Sequence, residues 1–226
     1  MLRHMEIVAV LLLGALNGIT QAQAQSFSAD LVTVNADGRD EKSGKVLVES
    51  GKVRIDAPEL PQGFFILEPS LKISYFVRPS QFVFMDAKQS SQLTQLLVPV
   101  DPDAPCAQWQ MMAKVADIPD SSPAWRCERL GDEVLDGRAT FKYRAVSPKG
   151  ASITAWIDPA LKFLLRFRSQ DGSGIDIKTI ELGPQDKRLF EIPADYEKFD
   201  PKELIERVKQ SDVWIEPPKA APRTDE

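Results

Sequence analysis

The chain reads as mainly β with α: one antiparallel β domain, its sheet curled or split, with an inserted helical segment. Two observations lead there. From Phe27 onward, short alternating segments are punctuated by Gly, Pro, Asp and Asn turns at the spacing of antiparallel strands. About ten consecutive strands are also too many for one flat sheet, which must curl or split to bury its apolar face.

The first residues are read apart from the fold. Arg3 precedes an apolar stretch from Ile7 to Leu13, continued through Gly14, Ala15 and Leu16, and Ala22-Gln23-Ala24 presents small side chains where signal peptidase reads them. Residues 1–24 are expected to be a signal peptide cut between Ala24 and Gln25. The apolar run is about half the roughly 20 residues a spanning helix needs. A periplasmic or secreted protein is the expectation, with no membrane span after cleavage.

Phe27 to Val34 is the first strand, with Asn35-Ala36-Asp37-Gly38 as its turn. Gly44 to Glu49 and Lys52 to Ala57 are joined through Ser50-Gly51, a tight hairpin signal, and Val46, Val48, Val53 and Ile55 can share one face. Gly63 to Glu68, Leu71 to Arg78 and Gln81 to Ala87 follow, separated by Pro-Ser turns. In the second of these, Leu71, Ile73, Tyr75 and Val77 form the apolar face against Lys72, Ser74, Phe76 and Arg78, and Phe82 and Phe84 fall together.

Ser90 to Val98 then carries Leu93, Leu96 and Leu97 at helical spacing after a serine cap, and Ala107 to Val115 is a second short helix. These form a helical insertion near 88–123. Strands resume near Trp125 and continue through Ala139–Ser147, Ser152–Ile157, Phe163–Ser169 and Gly174–Leu182, before a terminal helix from Pro201 to Gln210. One β domain over 25–215 and a polar, proline-bearing tail over 216–226, expected to be disordered, complete the organisation.

Composition excludes several chemistries. The 226 residues carry a net charge of −5 with no block of Lys or Arg, which argues against a nucleic-acid partner. The single histidine, His4, lies in the expected signal, so the mature chain would have no imidazole for a triad, a zinc site or a general base. No cofactor, no metal and no catalytic residue is expected, and the chain is read as not an enzyme. Asp101 and Asp103 lack the Gly turn and bidentate Glu of a calcium loop. Cys106 and Cys127, an even pair in an exported chain, are expected to form a structural disulfide, since no Cys-x-x-Cys motif marks a redox site.

The hairpin Gly44-Lys-Val-Leu-Val-Glu-Ser-Gly-Lys-Val-Arg-Ile-Asp56, with Ile66-Leu-Glu-Pro69, Tyr75-Phe-Val-Arg-Pro79 and the closing phrase Leu189-Phe-Glu-Ile-Pro-Ala-Asp-Tyr-Glu-Lys-Phe199, resembles the periplasmic lipoprotein-carrier-like superfamily (LolA/LolB-like). More narrowly, it is similar to the DUF4412-type domains. The resemblance spans about Phe27 to Phe199 and implies a strongly curved antiparallel sheet, an unclosed half-barrel, with helices over the concave face, whose hollow in the better-known relatives holds acyl chains. Ile73, Tyr75, Val77, Phe82, Phe84, Ile153, Ile157, Phe163, Leu165 and Phe167 would line such a hollow, or pack against the helices as an ordinary core.

Trp109, Trp125, Trp156 and Trp214 can anchor a partner or pack near the disulfide, and Lys162, Arg166 and Arg168 can form a phosphate rim or a solvated face. Two functions stand open: a non-enzymatic binding protein that carries or senses a lipid, acyl or other amphiphilic ligand, and a cell-envelope interaction module with a filled core and an envelope protein as partner.

Overall fold

The computed structural model describes residues 26–57, 60, 62–88, 93–115, 125–146 and 150–202. The expected signal peptide with its cleavage site, Trp214, the terminal helix beyond Lys202 and the tail lie outside the described residues.

Twelve strands form one open sheet. They are β1 (Ser26–Val34), β2 (Asp40–Glu49), β3 (Lys52–Asp56), β4 (Phe64–Glu68), β5 (Ile73–Arg78), β6 (Val83–Asp86), β7 (Arg126–Leu135), β8 (Arg138–Val146), β9 (Ser152–Asp158), β10 (Phe163–Ser169), β11 (Gly174–Leu182) and β12 (Glu197–Lys198). Their spatial order is β12-β6-β5-β4-β3-β2-β1-β11-β10-β9-β8-β7. Two meanders thus meet at the β1–β11 seam, and β12 adds two parallel residues beside β6. The sheet curls around α1 (Leu93–Leu96) and α2 (Pro105–Val115), which connect β6 to β7 and share one apolar core with the concave face.

Local chemistry explains the turns. Ser50 and Gly51 both have positive φ, the requirement of a two-residue hairpin loop, and they bring Val48 opposite Val53 and Val46 opposite Ile55, all four without solvent contact. Asp136-Gly137 does the same between β7 and β8. β2 begins at Asp40, earlier than the alternation suggests, because Asn35 closes its turn tightly, its side-chain oxygen and carbonyl accepting from Arg39 and Gly38.

In the β10–β11 hairpin only glycine fits at 174. A Cβ there would lie 2.0 Å from the Phe167 carbonyl oxygen.

The expected apolar face of the fifth strand is corrected by the register. Phe76 lies opposite Phe65, and Ser74 opposite Leu67, so Ser74 and Phe76 take the concave side with the core residues Phe65 and Leu67. Ile73, Tyr75 and Val77 therefore face the convex side. Val77 is still buried, as is Ile66 on the same side. The physical reason lies further along the chain: the segment after β11 folds back, its Lys187–Phe190 turn packing on β3 and its β12 on β6, so both faces of this wing are covered. Burial on both faces erases the simple two-residue pattern. Pro69–Leu71 and Pro79–Gln81 are single turns of 3₁₀ helix, not strand, and Phe82 closes the second in the left-handed region.

Candidate functional site

The concave face carries the apolar core of the sheet, and the insertion packs onto it. Trp109 and Met112 of α2, with Leu96 and Leu97 around the end of α1, have essentially no solvent contact. They share the core with Phe27, Leu31, Val46, Val48, Ile55, Ile157, Phe163 and Leu164, and Phe27 meets Phe163 edge to face at 5.3 Å. The indole N–H of Trp109 donates to the Leu96 carbonyl, and the Gln95 amide donates to the Trp109 carbonyl, both at 3.2 Å, so the two helices are latched to each other. These bonds satisfy polar groups that burial would otherwise penalise.

Four links fasten the insertion to the sheet. Cys106 at the start of α2 is bonded to Cys127 of β7, with Cα atoms 5.8 Å apart. The Val100 N–H donates to the Lys162 carbonyl at 2.8 Å, the Tyr143 hydroxyl donates to the Pro102 carbonyl at 2.7 Å, and the Trp125 N–H donates to Gln110 at 3.0 Å. Burial holds the Tyr143 hydroxyl above its ordinary range. On the far side Lys88 reaches the Val115 carbonyl at the end of α2.

Five of the ten expected lining residues meet in this core. Ile153, Ile157, Phe163, Leu165 and Phe167 are buried under or beside the helices. Ile73, Tyr75, Val77 and Phe84 are placed on the convex side, where Tyr75 and Phe84 make an edge-to-face pair at 5.2 Å, and Phe82 is an exposed turn residue against Tyr196. The structure therefore does not bring the two groups to one surface.

The convex face carries the charge. Asp176, nearly buried, is gripped by Arg166 at 2.7 Å and Arg168 at 2.8 Å, and Asp158 holds Arg138 while accepting from the Ala160 and Leu161 N–H groups. The Trp156 ring lies beside Lys142 and Arg166. The nearby indole, whose buried N–H reaches no partner at full hydrogen-bond geometry, and Lys142, bonded to the carboxylate at 3.0 Å, hold the Glu133 carboxyl below its usual range. Of Lys162, Arg166 and Arg168, read as a phosphate rim or a solvated face, the two arginines lie on an ion-paired convex face, and Lys162 stands apart in a left-handed turn. Asp101 is engaged within its own turn, accepting from the Asp103 N–H. Among the described residues no group of three or more His, Cys, Asp or Glu is placed to hold a metal, and no helix is long and apolar enough to cross a membrane.

Several surface hollows remain among the described residues. An open groove of about 830 Å³ lies at the ends of β2 to β4, between Lys45, Arg54, Asp56, Leu60, Phe64 and Pro79. Arg54 stacks on Phe64 there at 3.6 Å. A smaller one, about 260 Å³, opens between β10 and β11 beside Leu135, Arg138, Arg166 and Lys178. Neither is visible as a sequence motif. The Asp136-Gly137 dipeptide, a strong hairpin signal, would have shown that Leu135 and Arg138 face one another.

No family model matches the chain, and no curated protein matches its sequence. Among solved structures it is similar to an uncharacterized conserved protein from Thermus thermophilus (12% identity, 79% of this chain and 91% of that one, TM-score 0.47). It is also similar to PNGF-II (9%, 83% and 34%, TM-score 0.48), of whose length it spans about a third. MucB in complex with MucA(peri) (11%, 77% and 57%, TM-score 0.37) and the LolA superfamily protein NE2245 from Nitrosomonas europaea (12%, 74% and 90%, TM-score 0.33) follow. These likenesses concern the fold alone; the LolA superfamily is represented among them, and the DUF4412-type domains gain no support of their own.

Proposed function

We propose that this chain is an exported, non-enzymatic binding protein that takes an acyl chain or similar amphiphile onto its concave face, with α1 and α2 as the closure. One observation carries this reading. The apolar concave face of the sheet is covered by a two-helix insertion, latched within itself and tied at its edges, and not by further strands. An acyl chain would compete with Trp109, Met112, Leu96 and Leu97 for Ile153, Ile157, Phe163, Leu165 and Phe167, gaining about 0.8 kcal/mol per buried methylene. The disulfide would hinge the movement at the start of α2. Export through a cleaved signal, one domain over 25–215 and release into the periplasm or medium belong to the same reading; N-terminal sequencing of the exported form tests the first, and an intact Met1 would overturn it.

Native mass spectrometry after mild purification tests the ligand, with a fluorescent fatty-acyl probe as the second measurement. Bound lipid or probe displacing Trp109 supports the reading. A protein that carries no lipid and leaves the probe free overturns it.

The filled interior favours a second reading, a cell-envelope interaction module. β7 offers a ten-residue edge strand with Leu130 and Val134 exposed, suited to strand addition by a partner. Slowed amide exchange along β7 in the presence of an envelope extract would support it, and unchanged exchange would sink it.

A further inference from the structure

The β10–β11 hairpin is closed at one end and split at the other. Its ladder runs from Arg168 opposite Gly174 to Arg166 opposite Asp176 and stops there, although β10 continues back to Phe163 and β11 on to Leu182. Irregularities flank the split on both sides. The β9–β10 register shifts at Leu164/Arg166, and the β1–β11 register shifts opposite Thr179, a β-branched residue at φ 52°. A left-handed β-branched residue is costly, and such strain persists where surrounding structure imposes it, often at binding sites.

The 260 Å³ hollow lies in this split. Its floor includes Leu165 and Ile177, both members of the core, so an opening on the convex face reaches apolar interior. Leu135 and Ile180 are its apolar walls, and Arg138 and Arg166 stand at its rim. Asp158 engages only Nε of Arg138, and Asp176 engages Nε and one terminal nitrogen of Arg166. Each guanidinium carries five N–H donors, so both keep donors without a partner among the described residues. Lys178 is engaged by Asp40, the lining carboxylate of Asp176 is taken up by Arg166 and Arg168, and Asp136 also lines the hollow, so attraction for an anion rests on the remaining donors of Arg138 and Arg166.

An apolar floor under two guanidinium groups has the polarity of a single-chain anionic amphiphile. At roughly 30 Å³ per small heavy-atom group the space takes about eight or nine of them, the two carboxylate oxygens and the first six or seven carbons of a chain whose far end stays in solvent. We infer that the β10–β11 split binds a medium-chain carboxylate, its head on Arg138 and Arg166 and its chain against Leu165 and Ile177. The site lies across the sheet from α1 and α2 and does not depend on their displacement.

Amide NMR of the exported chain, titrated with decanoate below its micelle concentration, tests this, with acetate as head-only and decanol as chain-only probe. Shifts are expected at 135–138, 165–166 and 176–180. Arg166→Gln should weaken decanoate at least about tenfold. Asp176 keeps Arg168 in that variant, so the fold survives, and a wild-type thermal midpoint checks it. Equal binding of decanoate by Arg166→Gln, acetate or decanol matching decanoate, or an absence of binding would overturn the inference. Shifts confined to Trp109 and its core neighbours would overturn it too, while supporting the concave-face reading.

Discussion

Removing the Cys106–Cys127 bond by the double substitution Cys106→Ser/Cys127→Ser should cost this protein a definite fraction of its stability. The bond closes a loop with a sequence separation of 21 residues. Loop-closure entropy for that length is about 11 cal/mol/K, or about 3 kcal/mol at 25 °C. For a chain of this size the thermal midpoint should fall by about 6–12 °C. Urea unfolding followed by far-UV circular dichroism, with and without reductant, measures it: reduced wild type and the double variant should coincide. Because the bond ties α2 to an edge strand, amides of α2 should lose protection before those of the β1–β11 seam. A loss under about 1 kcal/mol, or equal loss of protection throughout the sheet, would refute the view that the bond fixes the insertion.

Trp109→Ala removes the largest fully buried side chain and the donor to Leu96, and should cost about 3–5 kcal/mol in chemical denaturation; a cost under about 1 kcal/mol would mean the insertion is loosely seated. Gly174→Ala forces a methyl group against the Phe167 carbonyl and should cost at least about 1–3 kcal/mol, whereas an unchanged melting temperature would contradict that close approach. Acid should weaken the fold through Glu49 and Asp30. The first is held low by the Gln185 N–H and the second by Lys45, so their contribution is present above the ordinary carboxylate range and is lost as pH falls through their lowered values. Melting temperature against pH should therefore decline below about pH 4.5, and Glu49→Gln should flatten that decline; a parallel curve for the variant would remove Glu49 from the account.

Much of the fold was legible because its turns carry their own chemistry. Ser50-Gly51 and Asp171-Gly172-Ser173-Gly174 interrupt the chain by backbone requirement, and the strands meet these turns where the alternation puts them, although β2 starts four residues early at Asp40. The insertion announced itself through Leu93, Leu96 and Leu97 and the prolines between its helices. What failed was the assignment of faces in β5. Alternation says which residues share a side, but the side that meets the helices is set by cross-strand register and by the returning segment with Phe190, Tyr196 and β12, about 110 residues away in sequence. The β10–β11 split was invisible for a similar reason. It arises from a ladder that stops, and an unpaired stretch of strand has the same composition as a paired one.

The strand order has a consequence in time. Each meander pairs neighbours in sequence, so both wings can zip as the chain emerges, but the seam between them joins β1 to β11, residues about 150 apart. That contact closes the longest loop of the sheet and waits for β11, after which only the short β12 remains to be added beside β6. Until β11 arrives, the first strand keeps one open edge, and the concave core has no second wall. A polypeptide built this way stays unfinished through most of its own synthesis, and becomes a compact body only once β11 has joined β1.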